Sequence, residues 1–228
     1  MNGPDKFVDV CREFIDLVNL HVGSYVDACA GFAENKARVE RQVCKIMRAQ
    51  KSKPNAKDGT VMVFASFDDP DSPDAIHHRI VAAKEFVENN SEAGSNAQLH
   101  AHSAIVFLYS KWDEVIRPKL AAAKSVSTEE ISLDIMGDLR LIRNAIIHND
   151  GYLAAAACDK FKLVCSVVTP GKLNLSNDVM HAIFAQVKAG TAKLLCDHLG
   201  LPCPQSGPEA IKEIAIQRAP KHHQFDGR

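Results

Sequence analysis

Asp138-Leu139-Arg140-Leu141-Ile142-Arg143-Asn144-Ala145-Ile146-Ile147-His148-Asn149-Asp150-Gly151 is the stretch from which both a helical fold and a candidate site can be read. With the residues just upstream, its apolar positions recur at helical spacing, so that Ile131, Ile135, Leu139, Ile142 and Ile146 make one buried stripe. Ser127-Thr128-Glu129-Glu130 has the form of a capping box, Ser127 as N-cap and Glu130 three residues on, and predicts that the helix begins there. Asn149-Asp150-Gly151 ends it, with Gly151 free to take the left-handed conformation. Asp134, Asp138, Asn144 and His148 fall away from the stripe. Asn144 and His148 are one turn apart and share a face, whereas Arg143 is rotated by about 100° and must reach around. His148 lies in the last turn, where the helix dipole favours its protonated form.

An arginine, an amide and an imidazole delivered together suit chemistry on a phosphodiester. The guanidinium can hold a phosphate through two hydrogen bonds while the imidazole moves a proton near neutral pH. From the residues alone a second reading stands beside this one: His148 interacts with the last helical carbonyls, Arg143 pairs with Asp138 or Glu130, and the cluster is only a cap.

The motif Arg143-Asn144 followed by His148, in its extended setting of Leu139, Ile142, Ile146-Ile147, Asn149 and Gly151, resembles that of the HEPN superfamily (higher eukaryotes and prokaryotes nucleotide-binding). Tyr109-Ser-Lys-Trp112-Asp113-Glu114-Val-Ile-Arg117-Pro118 looks like the helix preceding the motif helix in several bacterial members. The resemblance covers residues 98 to 200. It implies a mainly α fold, a helical bundle of four to five helices that dimerises so that two motif helices face each other across a cleft. It also implies a metal-independent endoribonuclease, of the kind found in toxin, antiphage and other conflict systems, with an antitoxin or regulatory protein as a further partner. In that scheme His148 is general base on a ribose 2′-hydroxyl or acid on the leaving oxygen, and the product carries a 2′,3′-cyclic phosphate. Arg143 binds the scissile phosphate, Arg140 is a further RNA contact, and Asn144 orients the imidazole or the substrate. Members silenced by nucleotidylation have a tyrosine two residues after the histidine; here that position is Asp150, and the nearest tyrosine is Tyr152. The same resemblance admits a catalytically silent dimer that binds nucleic acid or protein.

Composition permits this and excludes other classes. At 228 residues, with 46% hydrophobic and 24% charged content, the chain reads as a globular protein able to bury a core. A net charge of -1 excludes a generally basic coat for nucleic acid, though not a local basic surface. Seven cysteines without a close C-x-x-C pair read as reduced thiols of a cytoplasmic protein. The N-terminus lacks a signal-peptide pattern, and no apolar run has the length of a membrane span. Walker, G-x-G-x-x-G, H-E-x-x-H and G-x-S-x-G motifs are missing, and the histidine pairs are poorly placed as joint metal ligands, so neither a metal nor a cofactor is expected.

Outward from the motif, residues 5 to 50 read as one helix or two joined near Gly23, with Phe7, Val10, Phe14, Leu17 and Val18 as an apolar face resumed at Phe32, Val39, Val43 and Ile46. Arg38, Arg41, Lys45 and Arg48 line one side of its second half and are the best candidates for contact with an RNA backbone outside the motif; the bland alternative is a solvated face. Thr60 to Phe67 is predicted to be a strand, with a turn-rich connection before it. Asp68 to Asp74 is acid-rich, with Ser72 and Pro73 read as a helix start and a helix from 73 to 90 following. Residues 97 to 117 make the next helix, with Trp112 in the core and Pro118 ending or kinking it. Lys160 to Thr169 and Lys172 to Leu175 are predicted to pair as a β-hairpin. Ser176 then caps a helix to about 198, with Val179, Ile183, Val187, Leu194 and Leu195 inward. Cys196, His198 and Cys203 read as structural. The whole is one helical domain over 1–203 with an insertion at about 51–96 and a tail over 204–228.

Overall fold

Phe7, Cys11, Phe14 and Val18 follow one another at helical steps, and they wind a single helix. The computed structural model describes residues 5–49, 61–66 and 76–203, and in it α1 runs unbroken over Lys6–Ala49, straight through Gly23. At 1.5 Å per residue it is about 66 Å long. The Asp5 carboxylate caps it, accepting the Phe7 amide at 2.9 Å. Only its first half joins the main core, through Phe7, Cys11, Phe14, Val18 and Tyr25. Beyond that, Val39 packs in a small second cluster with Val81, Ala83 and Phe86.

The strand expected at 60–67 is present as β1 (Val61–Ser66), and it pairs antiparallel with β2 (Ile76–Ala82) with an irregularity in register between Phe64 and Ala65. The helix expected over 73–90 is therefore corrected: its first part is strand, and only α2 (Ala83–Asn89) is helical. Ile76, Ile80 and Val81 are β-branched and favour the extended backbone, while Ala-Lys-Glu-Phe after them does not. The acid-rich stretch 68–74, the turn before the strand and the tail from 204 onward lie outside the described residues.

Helix α3 spans Ser95–Lys111 and passes through a π turn at Trp112–Ile116 directly into α4, Arg117–Lys124. Pro118 was expected to end or kink this helix, and the helix does not end there but runs on to Lys124. Leu108, Trp112, Ile116 and Leu120 are all buried and are four residues apart in succession. In regular α geometry twelve residues overshoot three turns by about 120°, and one widened turn absorbs most of that drift. Trp112 is in the core as expected, its ring centroid 5.2 Å from that of Phe14. Leu108 is inward and Phe107 is exposed.

The motif helix α5 is Asp134–His148, so its start is corrected from Ser127. The capping box does form, with Glu130 accepting the Ser127 amide at 3.0 Å, but it closes only a 3-10 turn over Thr128–Glu130. Ile131 then turns extended, its side chain in the core and its carbonyl accepting the Arg117 Nε at 2.8 Å. Ile135, Leu139 and Ile142 are fully buried and Ile146 packs on the core from its edge, as the stripe requires.

The hairpin expected from 160 to 175 is also corrected. Phe161, Val164 and Val168 all point into the core at steps of three and four, which a strand cannot do. The segment forms irregular turns, and the only ladder here pairs β3 (Tyr152–Leu153) with β4 (Gly171–Lys172) across α6 (Ala155–Cys158). Helix α7, Asn177–Leu199, starts at Ser176, whose Oγ accepts the Val179 amide at 3.3 Å, and stops at Gly200 in the left-handed conformation. Val179, Ile183 and Val187 are buried and Leu194 and Leu195 half-buried, matching the expected face. The architecture of the described residues is thus mainly helical with two small two-stranded accessory sheets.

Candidate functional site

With its stripe inward, α5 leaves Arg140, Asn144, Ile147 and His148 exposed, and Arg143 half-buried between them. The Arg143 Nη1 donates to Asn144 Oδ1 at 3.1 Å. Its Nε is buried and, among the described residues, has no hydrogen-bond partner. Arg143 pairs with neither Asp138 nor Glu130 in the ion pairs of the described residues, so the guanidinium is held by its neighbour and keeps its charge uncompensated. His148 is the last residue of α5. The Asn149 and Gly151 amides both return to the Ala145 carbonyl, at 3.1 and 2.9 Å, and Asp150 and Gly151 have φ of 50° and 74°. This turn fixes the helix end that carries the imidazole.

Asp138, expected on the outer face, is 1% exposed. Its carboxylate accepts the amides of Lys162 at 3.0 Å, Leu163 at 2.8 Å and Val164 at 3.1 Å, and so anchors the irregular segment that replaces the expected hairpin. It is a structural residue that ties the motif helix to the loop behind it.

Across from α5 lies α3, running the opposite way: Arg117 reaches Ile131 at one end, and His102 meets Gly151 at the other, its Cε1 only 3.4 Å from where a Gly151 Cβ would stand. His102, Val106, Tyr109 and Asp113 are spaced four, three and four apart and share the side of α3 nearest the motif. Burial and the nearby Asp113 raise the Tyr109 phenol above its usual range, against the opposing pull of Arg140, Arg117 and Arg143. Tyr109 thus lies within the field of three guanidiniums, and the one acid facing them, Asp113, is paired to Arg117 at 3.3 Å. At the other end burial, and secondarily the Lys172 ammonium, pushes the His102 imidazole below its usual range. Its Nε2 is buried and without a partner among the described residues, while Lys172 donates to the Asp150 carbonyl. Sequence reasoning missed Tyr109, His102 and Lys172 as neighbours of the motif. The four-three-four spacing on α3 was the available signal, but which helix faces it depends on the fold.

The second candidate group is not brought to the motif. Arg38, Arg41, Lys45 and Arg48 are all exposed on α1, as a stripe. Arg41 pairs with Glu34 at 2.8 Å and Arg38 donates to Asn35 at 3.2 Å. α1 touches α3 where Ser24 meets His100, and the stripe begins about 20 Å further along the axis. Among the described residues no three His, Cys, Asp or Glu side chains are grouped to hold a metal, and no helix is long and apolar enough to cross a membrane.

Compared with protein-family models, curated proteins and solved structures, the chain matches none of them.

Proposed function

We propose that the protein is a metal-independent endoribonuclease of the HEPN kind, acting as a homodimer, with Arg143, Asn144 and His148 as its catalytic residues. The observation that carries this reading is the half-buried Arg143 guanidinium, tied to Asn144 and otherwise uncompensated, five residues before an exposed imidazole. A fixed cation beside a titratable base is the pairing that phosphodiester cleavage by an internal 2′-hydroxyl requires. His148 removes the 2′ proton, the 2′-oxygen bonds to phosphorus, and the bond to the 5′-oxygen breaks. Arg143 offsets the charge that accumulates on the non-bridging oxygens. The leaving oxygen takes its proton from a second imidazole, which the symmetry mate supplies. Ile147 on the motif helix and Tyr152 just after it are exposed apolar residues, which supports self-association there. A role in a conflict system, with an antitoxin or regulator as partner, follows from the resemblance alone.

The second reading is a silent, RNA-binding dimer. The exposed row Arg38, Arg41, Lys45 and Arg48 favours it, since these residues can grip a backbone without any chemistry. Incubation of the full chain with RNA in EDTA separates the two. The nuclease reading requires fragments ending in 2′,3′-cyclic phosphate from wild type and none from His148→Ala at equal dimer content. Wild type that binds RNA and leaves it intact establishes the silent reading.

A further inference from the structure

One face of α1 recurs at Tyr25, Cys29, Phe32, Lys36 and Val39, in steps of four, three, four and three, a spacing that should keep it inward along its whole length. Its two ends are inward: Tyr25 is buried in the main core and Val39 in the second cluster. The three positions between them are only half-buried, and among the described residues Phe32 belongs to neither cluster. These three line a cleft of about 800 Å³ between the two clusters, closed on its far side by Asn90 to Glu92 of the loop after α2 and by Asn177, His181 and Phe184 of α7. Its wall is mostly apolar, and its size suits a small organic molecule. We propose that this cleft binds an organic ammonium ion, with its apolar body along Cys29 and Phe32 and its cationic head beside Glu92 and Asp178.

The two ends of the cleft differ in charge. Lys36 and Glu40 stand one turn apart at one end, opposite in sign, and largely cancel. Glu92 and Asp178 stand at the other, and among the described lining residues Lys36 is the one lysine or arginine. Tyr25, which marks this second end, precedes Lys36 by about 16 Å of helix, beyond the reach of a strong interaction through water. Neither Glu92 nor Asp178 is in an ion pair of the described residues. The N-terminal dipole of α7 offsets about half a charge beside Asp178, which leaves this mouth negative. Glu92 is also positioned: the Tyr25 phenol donates to Asn177 Oδ1 at 2.8 Å, and Asn177 Nδ2 donates to Glu92 Oε1 at 3.4 Å. Burial, foremost, holds the Tyr25 phenol above its usual range, so it remains a neutral donor. An anion entering here would meet two like charges.

Aromatic rings add to the recognition. Tyr25 and Phe184 meet edge to face, their centroids 6.3 Å apart, and Phe32 stands further along α1. A ring face attracts an ammonium ion held near it, and the attraction grows where water is displaced. The head is thus held by two carboxylates and by ring faces, while the body displaces water from the half-buried stripe. Occupation gives α1 one continuous covered face from the main core to the second cluster.

The test titrates the full chain with thioflavin T, a flat aromatic monocation, at about pH 8, where an ordinary imidazole is neutral, and follows the dye's fluorescence. One saturable site per chain is expected, from which benzyltrimethylammonium displaces the dye and naphthalene-2-sulfonate does not. Glu92→Gln and Asp178→Asn should each weaken binding by about threefold and together by about tenfold, the scale of exposed charge pairs. Glu114→Gln, outside the lining, should leave it unchanged. Ala33→Trp, at an exposed position of the wall, should fill the cleft and abolish binding while circular dichroism remains that of wild type. No saturable binding, equal displacement by the sulfonate, or full binding by Ala33→Trp would each overturn the proposal. So would an affinity that falls as the protein is concentrated, because a second copy would then be the occupant. His148→Ala should bind the dye as wild type does, so the result is independent of whether the protein cleaves RNA.

Discussion

The Asp138 carboxylate lies 2.8 Å from the Leu163 amide, joining a fully buried charge on the motif helix to a loop twenty-five residues further along the chain. The same carboxylate also takes the amides of Lys162 and Val164, so removing it leaves three donors to find other partners. Asp138→Ala should destabilise the fold by about 3 kcal/mol, the scale set by hydrogen bonds to a charged group and the cost of unpaired buried amides. Urea unfolding followed by circular dichroism measures this, and a midpoint equal to that of wild type would mean that water satisfies those amides instead.

Arg143 and His148 should separate catalysis from stability. His148→Ala should lower RNA cleavage by about a hundredfold or more, the usual worth of a general base, while shifting stability by less than about 0.5 kcal/mol because the side chain is exposed. Arg143→Lys should not restore the loss seen in Arg143→Ala, since an ammonium cannot reproduce the planar fork that binds two phosphate oxygens. Single-turnover cleavage rates in EDTA provide the readout, and recovery by lysine would demote Arg143 to a generic charge.

At Gly151 the positive φ and the close His102 ring act together. Gly151→Ala should cost about 1 to 2 kcal/mol through the left-handed backbone alone, with a further small penalty where the new methyl meets the imidazole. Gly23→Ala, with nothing within 4 Å and an ordinary helical setting, should stabilise α1 by about 1 kcal/mol. Thermal melts of the two variants, moving in opposite directions, test the distinction.

Half-buried imidazoles give the fold an acid limb. His102 is held below its usual range by burial and then by Lys172, and His21 by burial and then by His100. Between those depressed folded values and the unfolded value of about 6.5, the unfolded chain binds more protons than the native one. Stability therefore rises with pH across that window and is lost as pH falls through it, with the full benefit present above about 6.5. His102→Gln should flatten part of this dependence. Denaturation midpoints from pH 5 to pH 8, about the range of histidine titration, decide the point, and an unchanged slope in the variant would place the effect elsewhere.

The stripe on α1 makes a quantitative claim about salt. If Arg41 and Lys45 each neutralise one phosphate, replacing both with alanine should reduce the slope of log K against log salt by about 1.4 for single-stranded RNA. Filter-binding titrations with the His148→Ala protein avoid interference from cleavage. An unaltered slope would leave the stripe as solvated surface.

Much of the helical frame was legible because its information is local. Ile135, Leu139 and Ile142 announce one buried face, Ser176 announces the start of α7, and the structure agrees with both. Ser127 misled for an instructive reason. The capping box is real, but Ile131 is needed in the core in an extended conformation, so the turn it starts ends after three residues. Ile76 to Ala82 was read as helix because its partner strand is ten or more residues away, and pairing across that distance has no periodic signature within the segment. Asp138 was expected to fall away from the apolar stripe, yet it stands three residues after Ile135 and four before Ile142, on the inward side. Only the fold reveals the three amides that permit it.

The widened turn between Lys111 and Arg117 means that one continuous rod carries two phases of inward-facing positions. Tightening it to ordinary geometry with all its residues kept would swing Leu120 and Ala121 about 100° away from the interior, whereas deleting a single residue there leaves eleven residues over about three turns and keeps Leu108 and Leu120 in phase. The widening therefore keeps one inward face along the whole rod despite the extra residue, so that both of its ends meet α1, through His100 at one and Lys119 at the other.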